Sequence, residues 1–329
     1  MAATYTCDLL IVGAGPVGLY AAYYAGFRGW HSVIMDTLPE AGGQITAMYP
    51  EKDIFDVAGF PSVKGRVLVD ALVEQVAPYE PTYLLDHQAL SLETSEEGPV
   101  TVTTTEDISV EAKAVVITGG IGSFTPRALP AAEGWAGHGL VYFVPRLDEH
   151  AGKDVVIVGG GDSAFDWAYM LQPVAKSVSL VHRRDAFRAH ASMVDQVREM
   201  GVTLHTSCEV DEIRGSGQVE EVVIRSKTSG ETRTLPAQTV VAALGFIANI
   251  GPMADWGLEL EHRRIVVGTT MQTNLPRVFG AGDIVTYPGK VPLISVGFGE
   301  GAIAVNNAAP VIDPASHVFP GHSSGGSAE

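Results

Sequence analysis

Residues 7–36 read CDLLIVGAGPVGLYAAYYAGFRGWHSVIMD, and this stretch decides the fold of what surrounds it. An apolar run ends at Val12, the turn Gly13–Gly18 follows, a segment of small residues comes next, and a second apolar run, Ser32–Met35, is followed by Asp36. That order predicts a strand, a tight glycine turn, a helix and a second, parallel strand. The glycines let the backbone approach a pyrophosphate, to which the helix N-terminus offers unpaired N–H groups.

The turn supplies the first candidate ligand residues. Gly13, Gly15, Pro16 and Gly18 are expected to shape the backbone around the pyrophosphate. Asp36 stands 23 residues beyond Gly13, where a carboxylate can accept hydrogen bonds from an adenosine ribose. The glycine pattern alone is weak, but the strand before it, the helix after it and the acid at this spacing together predict a dinucleotide site.

The same unit occurs a second time, 146 residues later, counted from Gly13 to Gly159. We predict a strand at Asp154–Val158, a helix through Phe165–Leu171 and a second strand at Ser177–Val181. An internal duplication of so specific a unit predicts a second nucleotide-binding domain. The residues expected at its pyrophosphate are Gly159, Gly161, Asp162, Ser163 and Ala164.

The two units differ in charge at equivalent positions. The residue 23 after Gly159 is His182, and it is followed by Arg183 and Arg184, with Arg188 four further on. Arginines bind a 2′-phosphate that a carboxylate would repel, so the second site is predicted to take NADP. The alternative is that these cations are a solvated surface patch. His182 is expected to stack on the nucleotide or to hydrogen-bond to it.

Composition excludes several classes of protein. Of 329 residues, 46% are hydrophobic and 18% charged, which is typical of a folded globular protein. A net charge of −17 argues against nucleic acid and anionic membranes as general partners, and no apolar run approaches the roughly 20 residues that span a bilayer. The first strand begins too early to leave room for a signal peptide, and two distant cysteines suit a reducing compartment. We therefore expect a cytoplasmic protein, without a metal site.

A site for an unphosphorylated ribose and a site for NADP in one chain suggest a flavoprotein. The first site would hold FAD permanently, and the second would bring an exchangeable hydride donor, NADPH, to it. This prediction follows from the residues at the two glycine turns alone.

Seven motifs, in their order along the chain, carry a resemblance to a known family. They are GAGPVG (13–18), PEAGGQ (39–44) with a following Tyr49-Pro50, GIGSFTPR (120–127), VIVGGGDSAFDWA (156–168), VHRRDAFRAH (181–190), VFGAGDI (278–284) and ISVGFGEGAIAVNNA (294–308). Over essentially its whole length the chain resembles the thioredoxin-reductase-like ferredoxin–NADP⁺ reductases. The resemblance implies a homodimer that binds FAD and NADPH and passes electrons to ferredoxin or flavodoxin.

The resemblance also implies an α/β fold with two Rossmann-like nucleotide-binding domains of the three-layer ββα kind. An NADP(H)-binding domain, residues 121–240, is expected to be inserted into a discontinuous FAD-binding domain, residues 1–120 and 241–329. No catalytic side chain is implied, because the flavin carries the chemistry.

Further flavin-binding residues are implied by the resemblance alone. They are Gln44, Tyr49, Ala89, Phe124, Asp283, His322 and Ser324. Tyr49 is expected to lie on one face of the isoalloxazine ring, and His322, donated by the partner subunit, on the other. The plainer alternatives are an ordinary core tyrosine for Tyr49, a helix cap for Asp283 and a disordered tail for His322.

One family feature is missing. Where related thioredoxin reductases carry a redox CxxC pair, this chain reads Tyr142-Phe143-Val144-Pro145. Dithiol chemistry needs neighbouring sulfurs, so a thioredoxin reductase is excluded. The main prediction is a ferredoxin–NADP⁺ reductase. The alternatives are an NADPH diaphorase or quinone reductase and a non-catalytic flavin redox sensor.

Overall fold

Two units make up the part of the chain that the computed structural model describes, residues 3–319 and 321. The first takes in the described parts of Met1–Ala47, Asp53–Ser123 and Ala248–Glu329. The second consists of Met48–Lys52 and Phe124–Ile247. The chain thus enters the long stretch of the second unit after residue 123 and leaves it after residue 247, whereas the predicted domain boundaries lie after residues 120 and 240.

The chain from its first described residue to residue 117 forms three α-helices and eight strands. They are β1 (Thr4–Val12), α1 (Pro16–Phe27), β2 (Ser32–Met35), α2 (Gln44–Met48), β3 (Asp53–Ile54), β4 (Val63–Lys64), α3 (Gly65–Val76), β5 (Thr82–Leu84), β6 (Ala89–Glu93), β7 (Val100–Thr104) and β8 (Ser109–Ile117). The predicted strand–turn–helix–strand at the start of the chain is confirmed, with β2 at the predicted residues.

The first sheet is parallel at its centre and antiparallel at one end. Strands follow the order β5-β2-β1-β8-β7-β6, and β1 pairs in parallel with both β2 and β8. The residues from Leu9 to Val12 are all buried, as strands covered on both faces must be. β6, β7 and the first half of β8 pair antiparallel. This arrangement brings the GAGPVG turn to the carboxyl end of the central strand, where ligands bind in open α/β sheets.

The second unit repeats the parallel design. Its elements, with the strands that link it to the first unit, are β9 (Ser123–Pro126), β10 (Leu140–Val141), β11 (Asp154–Val158), α4 (Asp162–Leu171), β12 (Ser177–Val181), α5 (Ala191–Glu199), β13 (Thr203–His205), β14 (Cys208–Arg214), β15 (Glu221–Ser226), β16 (Thr232–Pro236), β17 (Thr239–Ala242) and β18 (Phe246–Asn249). A parallel sheet runs in the order β10-β17-β11-β12-β13, and β14, β15 and β16 form an antiparallel sheet. The predicted strands β11 and β12 are confirmed residue for residue.

The returning chain completes the first unit. It contributes β19 (Leu260–Glu261), β20 (Arg264–Val266), β21 (Val278–Gly280), β22 (Val285–Thr286) and α6 (Ile294–Ile312). β21 adds to the first sheet by pairing in parallel with the last residues of β8. Short 3₁₀ turns occur at Ala77–Tyr79, Pro130–Ala132, Asp148–His150, Gly251–Asp255 and Gly282–Ile284. None of the helices described is both long enough and apolar enough to cross a membrane.

Periodicity in the sequence also predicts strands at 108–113 and 114–120 and helices at Gly65–Tyr79 and Gly299–Ala309, and the bounds of all of these were wrong. The two predicted strands form one strand, β8, because its first half alternates while its second half is buried on both faces. The helix predicted at Gly65–Tyr79 ends at Val76 and continues as a 3₁₀ turn that contains Pro78. The helix predicted at Gly299–Ala309 is α6, which is longer at both ends and includes Pro310 in its last turn.

Glycines on α6 let it pack closely against the start of α1. A Cβ on Gly297 would lie 2.5 Å from Val17 Cγ2, and a Cβ on Gly301 would lie 3.4 Å from the Val17 carbonyl oxygen. Gly299, on the exposed face of the same helix, has no atom within 4 Å of such a position. Glycine is therefore required at 297 by packing and tolerated at 299.

Two glycine-to-alanine changes on α6 should act in opposite directions. Gly297→Ala should lower the free energy of unfolding by about 1–3 kcal/mol, because the new methyl overlaps Val17. Gly299→Ala should raise it by up to about 1 kcal/mol, because alanine is the better helix former. Urea unfolding of the two variants measures both, and equal effects would contradict this account of the packing.

Candidate dinucleotide-binding sites

Two glycines of the first turn are required by close packing. Gly13 has φ +121°, and a Cβ there would lie 2.6 Å from the backbone carbon of Thr118 at the end of β8. A Cβ on Gly18 would lie 1.8 Å from the Gly13 carbonyl oxygen. The Thr118 hydroxyl donates to that same oxygen at 2.8 Å. These contacts hold the start of α1 directly against the end of β1.

The other glycine of the turn faces open space. Gly15 is the residue before α1, and no atom lies within 4 Å of where its Cβ would be. No side chain of the cap residue bonds to the N-terminus of α1. Pro16 occupies the first helical position, where the N–H that proline lacks would have had no partner within the helix. The Gly42 N–H donates to the Ala14 carbonyl at 2.8 Å, which places a second glycine-rich loop beside the turn. The result is an uncapped helix N-terminus with room for a phosphate.

The Asp36 carboxylate lies at this turn, as the sequence predicted. Its Oδ2 accepts the Ala14 N–H at 2.6 Å, and its Oδ1 accepts the Leu38 N–H at 2.9 Å. Burial raises the pKa of Asp36, and the two backbone hydrogen bonds oppose that rise. A carboxylate held by backbone donors is fixed in orientation, which suits the recognition of a ribose.

Three further predicted residues belong to the first unit. Gln44 begins α2, and its side-chain nitrogen lies 2.9 Å from the position of a Cβ on Gly120. Asp283 is half-buried in the 3₁₀ turn that follows β21; burial raises its pKa, and the positive charges of Lys290 and Arg264 lower it. Ala89 is buried at the start of β6, paired with Thr104.

Tyr49 lies in the second unit, in the five-residue segment Met48–Lys52. Its ring packs against the hydrophobic cluster that contains Phe165. Lys52 forms an ion pair with Asp166 of α4 at 2.5 Å, and its ammonium lies 5.8 Å from the Tyr49 ring centroid. Nothing in the sequence pattern singled out Lys52 or indicated that this segment joins the second unit.

Three predicted flavin contacts fall outside what the structure describes. The backbone of Phe124 lies in β9, but its side chain is not among the described ones. His322 and Ser324 lie beyond the last described residue, 321. Their roles stay predictions.

The second glycine turn repeats the first. A Cβ on Gly159 would lie 2.5 Å from the Ala243 carbonyl oxygen and 2.9 Å from the Ala164 Cβ. Gly161, the residue before α4, faces open space and has no side-chain cap. Asp162 and Ser163 are exposed at the first positions of α4. Ala164 is fully buried against Gly159, so its side chain serves the packing of the turn.

His182 is packed on the middle glycine of this turn. A Cβ on Gly160 would lie 2.3 Å from the imidazole, and the Arg188 N–H donates to the Gly160 carbonyl at 2.8 Å. Burial lowers the pKa of His182, and the charges of Arg184, Arg183 and Arg188 lower it further. Its Nε2 is buried without a hydrogen-bond partner in the described part of the chain. A neutral imidazole thus stands among three arginines beside the turn.

The three arginines are exposed, and no carboxylate of the described residues forms an ion pair with them. Several other cations of the second unit are paired with carboxylates. Arg225 on β15 forms a bidentate ion pair with Asp211, and Lys227 forms an ion pair with Glu209 at 2.9 Å. Three arginines without an ion pair among the described residues therefore lie together where the sequence predicted a 2′-phosphate.

The cysteines offer no redox pair. Cys7 lies within β1, and burial raises the pKa of its thiol to about 12, which keeps it protonated and unreactive. Cys208 begins β14. At the position of the missing CxxC, Val144 is fully buried, and Tyr142 and Phe143 pack against the cores of the second unit.

Comparison with known sequences gives full-length matches. The sequence profile described as pyridine nucleotide-disulphide oxidoreductase matches residues 7–301. The chain is 61% identical over 323 residues to the ferredoxin–NADP reductase of Nocardioides sp., covering 97% of each chain. It is 60% identical to the ferredoxin–NADP reductase of Frankia alni, covering 97% of this chain and 99% of that one.

Among solved structures, the chain is similar to the thioredoxin reductase of T. acidophilum. The two superpose with a TM-score of 0.79 at 26% identity, over 94% of this chain and 99% of that one. The likeness supports the α/β fold with two Rossmann-like parts that the sequence predicted.

Proposed function

The chain belongs to the pyridine nucleotide-disulphide oxidoreductase family, and from that premise we propose that it is a ferredoxin–NADP⁺ reductase. The observation that carries the proposal is that one chain has two glycine turns, the first beside a carboxylate and the second beside arginines, and has no dithiol. Relatives with this name share about 60% of its residues over 97% of its length. When bound, the flavin supplies hydride acceptance from NADPH and the release of its two electrons one at a time.

The first site fits FAD. The open space at Gly15 and the uncapped N-terminus of α1 can take the pyrophosphate. Asp36, held by the Ala14 and Leu38 N–H groups, can receive the ribose hydroxyls. Asp283 and Gln44 supply polar groups for the remainder of the cofactor. Tyr49, Ala89, Phe124, His322 and Ser324 complete the proposed flavin contacts.

The second site fits NADP(H). Gly161 leaves space at the N-terminus of α4, and Asp162 and Ser163 line its first turn. Arg183, Arg184 and Arg188 supply unpaired positive charge for the 2′-phosphate. The orphaned Nε2 of His182 can donate to or accept from the nucleotide. The residues around this turn, 121–240, are proposed as the NADP(H) domain, inserted in an FAD domain formed by 1–120 and 241–329.

The route of electrons out of the protein follows from the cysteines. Since Cys7 is inert and no second sulfur is its neighbour in the sequence, no dithiol accepts electrons from the flavin. The acceptor is then an external one-electron carrier, ferredoxin or flavodoxin. We further propose a cytoplasmic homodimer, in which the partner subunit's His322 lies on the flavin face opposite Tyr49.

The direct experiment is anaerobic reduction followed by transfer. Purified protein should bleach its flavin absorbance when NADPH is added, and ferredoxin added next should become reduced as the flavin colour returns. A sensor that binds nucleotides without chemistry predicts no bleaching. A quinone reductase predicts that the enzyme reduces quinones faster than it reduces ferredoxin. Either result would overturn the proposal.

Removing the arginine charge should cost NADPH selectivity. In Arg184→Gln, the KM for NADPH should rise about tenfold or more while the KM for NADH changes little, because charge-assisted bonds to the 2′-phosphate are worth roughly 1.5–3 kcal/mol. The matched control is Arg225→Gln, whose guanidinium is engaged by Asp211. Equal losses for both nucleotides would argue against a 2′-phosphate site.

Removing the first-site carboxylate should loosen FAD. Asp36→Asn keeps the size of the side chain but removes its charge and one acceptor, so FAD should leave the holoenzyme about tenfold faster. Flavin fluorescence after dilution measures the release. The control is Asp8→Asn, since Asp8 likewise accepts a backbone N–H, that of His31, but lies on β1 several residues before the turn. An unchanged release rate in Asp36→Asn would refute the ribose assignment.

A further inference from the structure

Glu300 is a buried carboxylate on an otherwise apolar stripe of α6. The buried positions of that helix recur at helical spacing and are otherwise small or aliphatic: Gly297, Gly301, Ala304, Val305, Ala308, Ala309 and Ile312. The side chain of Glu300 is 3% exposed. An ionised carboxylate in such a place needs strong compensation, because burial removes its hydration.

Four donor contacts supply that compensation. The Lys290 ammonium, 4% exposed, lies 2.5 Å from Oε1 and 2.6 Å from Oε2. The Tyr287 hydroxyl donates to Oε1 at 2.6 Å. The Gly282 N–H donates to Oε2 at 2.8 Å. Burial and this hydrogen bond raise the pKa of Tyr287 to about 12, so the phenol stays a neutral donor.

The cluster is attached to a turn that the function uses. Gly282, whose N–H Glu300 accepts, has φ +83° and immediately precedes Asp283. The same glycine packs against the start of α1: a Cβ on Gly282 would lie 3.2 Å from Val17 Cγ2. By accepting the hydrogen bond from the Gly282 N–H, the Glu300 carboxylate therefore holds the turn that contains Asp283 and also its contact with the GAGPVG turn.

The charges of the cluster also reach Asp283. Lys290 stabilises the ionised form of Asp283, while Glu300, together with Asp56, disfavours it. Because the ammonium and the carboxylate are in direct contact, their effects largely balance. Loss of one partner would leave an uncompensated buried charge beside this turn.

We propose that Glu300, Lys290 and Tyr287 are positioning residues that hold the Gly282–Asp283 turn against the flavin site and keep the local charge balanced, thereby setting FAD retention and the flavin reduction potential. The proposal rests on the proposed FAD binding. Buried ion pairs add little stability compared with apolar packing, so a positioning role accounts better for their presence here. Charge close to a bound flavin tunes its electronic properties.

The test uses holoenzyme variants and two readouts. Glu300→Gln leaves the Lys290 charge unbalanced, so the flavin midpoint potential should rise, since reduction adds negative charge. The double variant Lys290→Met with Glu300→Gln is neutral again, so its potential should return to the wild-type value. FAD release should be about tenfold faster in both, because the Gly282 N–H has lost its carboxylate acceptor. A merely structural role would not restore the potential in the double variant.

Two further variants complete the experiment. Tyr287→Phe removes one hydrogen-bond donor without a change in charge. FAD release should therefore become about threefold faster, while the flavin midpoint potential should not change. Lys113→Met, which breaks the exposed pair with Asp8, should alter neither readout.

Each outcome has a separate meaning. Failure of the wild-type protein to bind FAD would overturn the proposed function. Wild-type binding with an unchanged potential and release rate in Glu300→Gln would overturn the positioning role alone. If Glu300→Gln does not fold, Tyr287→Phe decides, and an unchanged release rate in that variant counts against the proposal.

Discussion

The close approach of α1 to the strand and helix beside it is the constraint on which the first unit depends. Gly18 allows the helix to start against the Gly13 carbonyl, and Val17 fills the space left by Gly282 and Gly297. One valine thus touches the returning turn and α6 at positions where only glycine fits. The two segments that carry predicted FAD ligands, at opposite ends of the sequence, are thus packed together through Val17.

The two nucleotide sites share a backbone and differ in their electrostatics. Gly15 and Gly161 present the same open space at an uncapped helix. At Asp36 the protein holds a carboxylate with backbone N–H groups, while at His182 it keeps an imidazole neutral among arginines. The charges of Arg225 and Lys227, in contrast, are balanced by carboxylates. A few side chains on the same repeated backbone therefore determine which nucleotide each site prefers.

The sequence predicted what depends on local pattern. It placed β2, β11 and β12 at their residues and identified both glycine turns, because apolar runs and glycine spacing are local signals. It divided β8 in two because the burial of that strand changes along its length. The partners of Glu300 and the attachment of Lys52 to Asp166 depend on which distant segments meet, and no periodicity reports that. A charged residue on the apolar stripe of α6 was the one available sign of the cluster.

The assignment of Met48–Lys52 to the second unit bears on how modular this protein is. The chain changes unit four times, after residues 47, 52, 123 and 247, so neither unit is one continuous segment. Residues 124–247 cut out as a cassette would leave behind Tyr49, which packs on the Phe165 cluster, and Lys52, which pairs with Asp166. Recombination between related reductases at the boundaries of residues 124–247 would then combine this long segment with a Met48–Lys52 segment that is adapted to a different α4. Successful exchange of nucleotide specificity by recombination therefore requires that the short and the long segment be exchanged together.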